Sequence, residues 1–379
     1  MANIIVLGAG MVGSAMAIDL ESKHQVTVSD MNQERLDFVK NKKAGIQTIL
    51  LNVTDHQALH ASIAPFDLVI CAVPGFLGYE TLRHIILCGK NVVDISFFPE
   101  DALSLHDLAL QNNVTAIVDC GVAPGMGNLI LGRYNALLEL TDFECLVGGL
   151  PKIKKWPFCY KAPFSPIDVI EEYTRPARYV ADGKIIVMEA LTEPELIEFE
   201  NAGILEAFNT DGLRSVLFTM PHIKNRKEKT LRYPGHIEYI RVLKESGFFD
   251  TKKITISGTE ISPLEFTSKI LINEWKLGDT EPELTVMRIT LVGKNKNGVT
   301  EKIIYNLYDE YNPQTQTSSM ARTTGYTATA AANMILENLF TEKGVFPPEL
   351  IGHNEHCFNF IMTYLRERNV IYKKTTESI

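Results

Sequence analysis

Gly8-Ala9-Gly10-Met11-Val12-Gly13 places three glycines at the spacing G-x-G-x-x-G. Between a strand and a helix, such a loop lets a pyrophosphate reach bare backbone and rest on the helix N-terminus. Gly8 then makes the tight turn, Gly10 allows the close approach, Gly13 lets helix and strand pack, and Met11 and Val12 open the helix. Asp30 ends an apolar run 17 residues after Gly13. A carboxylate there accepts hydrogen bonds from the adenosine ribose hydroxyls and repels a 2′-phosphate. Met31 and Asn32 offer no guanidinium to such a phosphate, so the pattern predicts NAD over NADP. Asp30 as a helix N-cap is compatible with the same reading.

Further along, Asn52-Val53, Val73-Pro74 and Ser96 each follow an apolar run. In open α/β sheets ligands bind beyond the carboxyl ends of strands, so these residues are expected to border the dinucleotide. Asp119-Cys120-Gly121 follows the sixth run and leads through Ala123-Pro124-Gly125 to Asn128. That turn is expected where a nicotinamide ring and its substrate would meet, with Asp119 as a candidate acid. Cys120 reads as a nucleophile or, with no histidine near in sequence, as a small buried filler.

An acidic substrate group in a desolvated pocket is best held by the bidentate fork of arginine. Arg175, Arg178, Arg214 and Arg232 lie in proline-framed or small-residue segments and are candidates, each with the alternative of a solvated surface arginine. Asp211 reads as a helix cap before Arg214. Tyr173, with Glu171 and Glu172, lies on a short helix ending at these arginines. His236 follows Pro234-Gly235 at the start of the helix 237–246. Its ordinary pKa near 6.5 suits proton removal from an ammonium or from water, the alternative being a packing or capping histidine. The expected catalytic end is therefore His236 and Arg232 beside Asp119. The substrate-binding set is Tyr173, Arg175, Arg214, Cys120 and Gly121. His353 and His356 do not have the H-E-x-x-H spacing, so no metal is expected.

These residues need a scaffold, and the first 120 residues predict one. Apolar runs at 3–7, 25–29, 46–50, 67–73, 91–95 and 115–119 alternate with helical stretches at 11–23, 32–43, 54–63, 77–88 and 100–112. Nearly continuous β-branched strands alternating with helices predict a doubly wound parallel sheet of the Rossmann type, an α/β fold. Beyond about residue 122 the rhythm changes to long strands at 284–292 and 299–308, joined across Asn297-Gly298, a hairpin signal. Segments 151–166 and 221–235 read as proline-bearing loops, and 323–339 as a small-residue helix. The expected division is a dinucleotide-binding domain of 1–122 plus about 320–379, and an inserted α+β substrate domain of 123–319.

Composition narrows the class. The 379 residues are 45% hydrophobic and 22% charged, with 37 Lys+Arg against 46 Asp+Glu and a net charge of −9. This is the balance of a globular chain, and it does not advertise a nucleic-acid partner. Six scattered cysteines without C-x-x-C spacing read as reduced thiols. No secretory n-region and h-region and no membrane-length apolar run is seen, so the expectation is a cytoplasmic protein with no membrane partner.

Several of these motifs together resemble the saccharopine dehydrogenase-like proteins. They are Gly8–Gly13, Val73-Pro74-Gly75-Phe76-Leu77-Gly78, Gly121-Val122-Ala123-Pro124-Gly125 and Gly148-Gly149-Leu150-Pro151. The segments Glu171-Glu172-Tyr173-Thr174-Arg175-Pro176-Ala177-Arg178, Asp211-Gly212-Leu213-Arg214-Ser215 and Leu231-Arg232-Tyr233-Pro234-Gly235-His236 look like the lysine 6-dehydrogenase branch. The resemblance implies a homodimer and NAD-linked oxidative deamination of L-lysine at its ε-carbon, giving 2-aminoadipate 6-semialdehyde and ammonia. Saccharopine-handling relatives carry Asp-Pro-Gly and then a histidine where this chain has Ala123-Pro124-Gly125 and Asn128. That difference points away from saccharopine itself. The alternatives are a saccharopine or carboxynorspermidine dehydrogenase-type enzyme, and a non-catalytic NAD-binding protein.

Overall fold

The computed structural model describes residues 1–379, the side chains of 166 and 167 excepted. Its first sheet is built from β1 (Asn3–Leu7), β2 (Gln25–Asp30), β3 (Gln47–Leu50), β4 (Leu68–Cys71), β5 (Asn91–Asp94) and β6 (Thr115–Ile117). All pair in parallel, in the order β6-β5-β4-β1-β2-β3, the arrangement of two mononucleotide-binding halves. Ile4, Ile5, Val6 and Leu7 are all fully buried, because helices cover both faces and successive side chains find apolar neighbours on either side. The helix Met11–Glu21 follows β1 directly, and Gly75–Leu87 follows β4.

The second sheet contains β7 (Glu139–Pro151), β8 (Ala177–Ala181), β9 (Lys184–Met188), β10 (Glu195–Phe199), β11 (Gly203–Asn209) and β12 (Asn225–Arg232). A small separate hairpin, β13 (Ile254–Ile256) with β14 (Thr259–Ile261), precedes the long β15 (Glu283–Lys294) and β16 (Thr300–Glu310). β12 lies beside β7 near the middle of the sheet, in parallel, although the sequence reads 221–235 as a loop. Alternation explains the difference. Arg226, Glu228, Thr230 and Arg232 form one face of β12, and their polarity hides a strand that is buried for most of its length. The hairpin at Asn297-Gly298 forms, but only Gly298 takes a positive φ (75°), following a turn closed by Gly298 N–H donating to the Asn295 carbonyl at 2.8 Å. It is therefore a type I turn with a left-handed glycine, not a two-residue turn.

The chain then returns. The helix Ser319–Leu336 packs against Met11–Glu21, and Gly325 lets it come close, since a Cβ there would lie 3.1 Å from Met16 and 3.6 Å from Val12. β17 (Gly344–Phe346) extends the first sheet beside β6, in parallel. The helix Glu355–Glu367 follows, and β18 (Tyr372–Ser378) pairs antiparallel with β16. The last strand thus belongs to the second sheet, which corrects the assignment of all of 320–379 to the first domain. The polypeptide passes between the sheets three times, at 118–138, 311–343 and 347–371. Among the described residues no helix is long and apolar enough to cross a membrane.

Candidate active site

A cleft of about 640 Å³ runs between the sheets from the glycine loop to the inner face of β12. At its dinucleotide end, a Cβ on Gly8 would overlap the Ala72 carbonyl, and one on Gly13 would overlap the Gly8 carbonyl. Gly10 differs: a Cβ there would meet nothing within 4 Å, because it faces the open cleft. Two glycines thus draw the loop in, and the third leaves a cradle for a pyrophosphate at the helix N-terminus. Met11, Val12, Asn52, Val53, Val73, Pro74 and Ser96 border the same cleft.

Asp30 sits at the end of β2 with its carboxylate already oriented. It accepts from the Ala9 N–H at 2.7 Å and the Asn32 N–H at 2.8 Å. It also borders the cleft, which suits a ribose diol. A guanidinium does stand nearby, contrary to the reading of Met31 and Asn32 alone. Arg35 lines the cleft, donates through Nε to the Ala9 carbonyl at 3.1 Å and lies 3.4 Å from Asp279. Residue spacing alone hid it, since Arg35 comes back to the loop from the first turns of the helix Gln33–Lys42.

At the other end, Val147, Gly148 and Gly149 of β7 form a low floor. A Cβ on Gly149 would crowd Pro163 and Met320, at 2.5 and 2.6 Å. The walls are carboxylate-rich: Asp119, Asp168, Glu171, Glu172, Asp211 and Glu228 all border this end. Four of them have arginine partners. Arg214 Nε lies 2.8 Å from Asp119, Arg178 binds Asp211 through two 2.8 Å hydrogen bonds, Arg232 meets Glu172 at 2.8 Å, and Arg175 pairs with Glu171. Burial pushes Asp168 up to about 6 and Glu228 up to about 8. For Glu228 the charges of Glu172, Asp211 and Asp119 act in the same direction as burial.

The expected catalytic and substrate residues separate into two groups. Asp119, Gly121, Arg175 and Arg232 border the cleft. Arg175 Nη1 is buried and without a hydrogen-bond partner among the described residues, an unspent donor beside the cleft. Arg232 is fully engaged: besides Glu172, its Nε donates to Tyr173 Oη and its Nη1 to the Leu231 carbonyl, each at 3.0 Å.

His236, Tyr173, Arg214 and Cys120 do not border the cleft. His236 is 2% exposed and stands behind Tyr173. The Phe158 carbonyl, 3.0 Å from Nδ1, can only accept, so Nδ1 carries the proton and Nε2 accepts from Tyr173 Oη at 2.9 Å. Burial, together with the Arg232 charge, lowers its pKa to about 3. That corrects its placement as a base facing substrate: its nitrogens are both occupied, and it holds the tyrosine that holds Arg232. Arg214 is spent on Asp119 and on the Phe98 carbonyl, 2.7 Å from Nη1. The Cys120 thiol points toward the Thr327 carbonyl, and burial pushes its pKa up, so it is packing. Asn128 is also off the wall, donating to Glu349 at 3.0 Å, so its side chain does not discriminate between substrates. Ala123 does line the cleft. Sequence reasoning missed Glu228 and Asp168. The signal for Glu228 was the two-residue polar alternation of β12.

Comparison with known proteins agrees with this fold. A family model described as "Saccharopine dehydrogenase NADP binding domain" matches residues 4–117, and one described as "Saccharopine dehydrogenase C-terminal domain" matches 121–371. A saccharopine dehydrogenase (NADP(+), L-glutamate-forming) of Pyricularia oryzae is 26% identical over 286 residues, 71% of this chain and 63% of that protein. The match therefore spans less than two thirds of that relative. Among solved structures, apo saccharopine dehydrogenase (L-Glu forming) from Saccharomyces cerevisiae superposes with a TM-score of 0.81 at 20% identity, covering 100% of both chains. Homospermidine synthase from Legionella pneumophila in complex with NAD gives 0.68 at 14% identity, covering 99% of this chain and 91% of that one. At these identities the structural likeness concerns the fold.

Proposed function

The chain belongs to the saccharopine dehydrogenase family, and on that premise we propose that it is an NAD-dependent oxidoreductase that oxidatively deaminates L-lysine at the ε-carbon. The observation that carries this reading is the charge of the substrate end. Six carboxyl groups border it, and four of the arginines nearby are already paired with them. Saccharopine carries three carboxylates and would need a surplus of cations there. Lysine has one carboxylate and a distal ammonium, which suits a single free guanidinium edge in an acidic pocket.

In this arrangement Arg175 receives the α-carboxylate through its unpartnered Nη1. The carboxyl groups of the opposite wall receive the ammonium, and the Gly148-Gly149 floor admits the aliphatic chain between them. The dinucleotide, when bound along Gly8–Gly13 and Asp30, supplies the two-electron acceptor for the amine-bearing carbon. The Glu172–Arg232–Tyr173–His236 chain holds the wall rigid, since each member is hydrogen-bonded to the next. The preference for NAD rests on Asp30, whose charge opposes a 2′-phosphate. In these terms the protein is a cytoplasmic enzyme acting as a homodimer.

The test is turnover by the purified protein. NADH formation from L-lysine, with ammonia released in equal amount and little activity with NADP or saccharopine, is the expected result. Turnover of saccharopine without turnover of lysine would assign the protein to the saccharopine reading that the names of its relatives favour. Dinucleotide binding with no turnover of any amine would mark a binding protein.

A further inference from the structure

Glu228 stands apart from the other carboxyl groups of the cleft. It lies on the inward face of β12, between Arg226 and Thr230 of the same face, and is 7% exposed with that exposure toward the cleft. Asp119, Glu171, Glu172 and Asp211 each have an arginine. Asp168 is held by Ser165 and the Gly75 backbone. Among the described residues Glu228 has neither an ion-pair nor a hydrogen-bond partner.

Its surroundings explain why no cation reaches it. Glu172 faces it from the helix Pro166–Thr174, Asp211 and Arg214 from the segment after β11, Asp119 from the junction after β6, and Cys145 from β7. The one arginine in this set, Arg214, is turned away onto Asp119 and the Phe98 carbonyl. Gly212 completes the niche, since a Cβ there would overlap the Glu228 carboxyl. The chain therefore makes room for an acidic group, surrounds it with acidic groups, and leaves its oxygens to whatever enters the cleft.

We infer that Glu228 is the group that receives the ammonium of the amine substrate and takes its proton. The inference rests on the reading of the protein as a deaminating amine oxidoreductase, and it names the base for that reaction. In the free cleft, burial and the neighbouring carboxylates favour the neutral carboxyl, with a pKa raised to about 8. An ammonium is the missing cation. As it docks, the carboxyl proton leaves to solvent, and the resulting carboxylate accepts one proton from nitrogen: R–NH₃⁺ and Glu228–COO⁻ become R–NH₂ and Glu228–COOH. The nitrogen lone pair is then free to support loss of two electrons from its carbon. No other reactant is consumed, and the balance for binding is one proton released. A base poised near the operating pH is also the most effective one.

The distinguishing readout is a proton count. The wild-type protein and Glu228→Gln, each loaded with NADH so that no hydride acceptor is present and lysine binds without turnover, are titrated calorimetrically at pH 7 with L-lysine and with L-norleucine, in buffers of different ionisation heat. Norleucine shares the carbon skeleton and lacks the ε-ammonium. The wild type should release about one proton more with lysine than with norleucine. Glu228→Gln should lose that difference and bind lysine about 10- to 100-fold more weakly, with NAD and norleucine affinities retained as evidence of an intact fold. Lysine binding by the wild type without excess proton release, or an unchanged proton count in Glu228→Gln, overturns the inference while leaving the functional reading in place. Failure of the wild type to bind lysine overturns both.

Discussion

Arg214 Nε stands 2.8 and 2.9 Å from the two carboxylate oxygens of Asp119, across the junction between the sheets, and both side chains are buried. Both residues also hold positive φ, 52° for Asp119 and 46° for Arg214, a backbone cost that their pairing helps to hold in place. Removing one charge leaves the other buried and unmatched. Asp119→Asn should therefore destabilise the fold by about 3–5 kcal/mol, read as a lowered denaturant midpoint. An unchanged midpoint would show that the pair does not hold the junction.

Arg175 is expected to act on substrate affinity. Its Nη1 is the donor left over after Glu171 has been satisfied, and its guanidinium carbon lies 5.0 Å from the Phe97 ring, which fixes its plane. Arg175→Ala should raise KM for the amino acid about 10- to 100-fold with a smaller change in kcat, as for loss of a charge-assisted hydrogen bond made in ground state and transition state alike. A fall in kcat with KM unchanged would move the carboxylate contact elsewhere.

His236 should be visible in stability and silent in catalysis between pH 5 and 9. Its folded pKa of about 3 lies below the ordinary 6.5, so the unfolded chain takes up the proton first. The sign follows: stability is full above about pH 6.5 and is lost as pH falls toward 3, at up to about 1.4 kcal/mol per pH unit. His236→Asn, which keeps a neutral polar group behind Tyr173, should flatten that acid limb in a series of thermal melts. A limb of unchanged slope would mean that His236 is not its source.

Cofactor choice should turn on two side chains rather than one. The Asp30 charge would oppose a 2′-phosphate, yet Arg35 lies beside the Ala9 loop, held there by a carbonyl, an exposed contact to Asp279 and the Phe38 ring. Asp30→Ser alone should thus weaken NAD binding and raise the relative affinity for NADP, measured by calorimetry. Arg35→Ala in that background should abolish the gain. A gain that survives loss of Arg35 would mean another group reads the phosphate.

The first sheet is legible in the sequence because its signal is local. Ile4–Leu7 and Leu68–Cys71 are apolar throughout, and the glycine loop carries its own spacing. β12 is not legible in that way. Its inward face carries Arg226, Glu228, Thr230 and Arg232, because a strand that lines a polar cleft trades its hydrophobic pattern for chemistry. β18 reads as an exposed polar tail, since only Tyr372 of its residues is buried, and nothing local names β16 as its partner. The arginines show the same limit at the site. Sequence offers four candidate arginines without saying which share a cavity, because Arg214, Arg178 and Arg232 acquire their carboxylates from segments 95, 33 and 60 residues away. Only the folded chain shows that Arg175, bound within its own helix turn, keeps a nitrogen to spare.

The three passages of the chain between the sheets bear on how the cleft handles force and damage. A clamshell on one tether swings freely, and one cut through that tether parts its halves. Here each sheet contains a strand delivered by a late return of the chain, β17 in one and β18 in the other. Three connections join the two halves of the cleft, so a single protease nick at any one crossing leaves the other two connections intact.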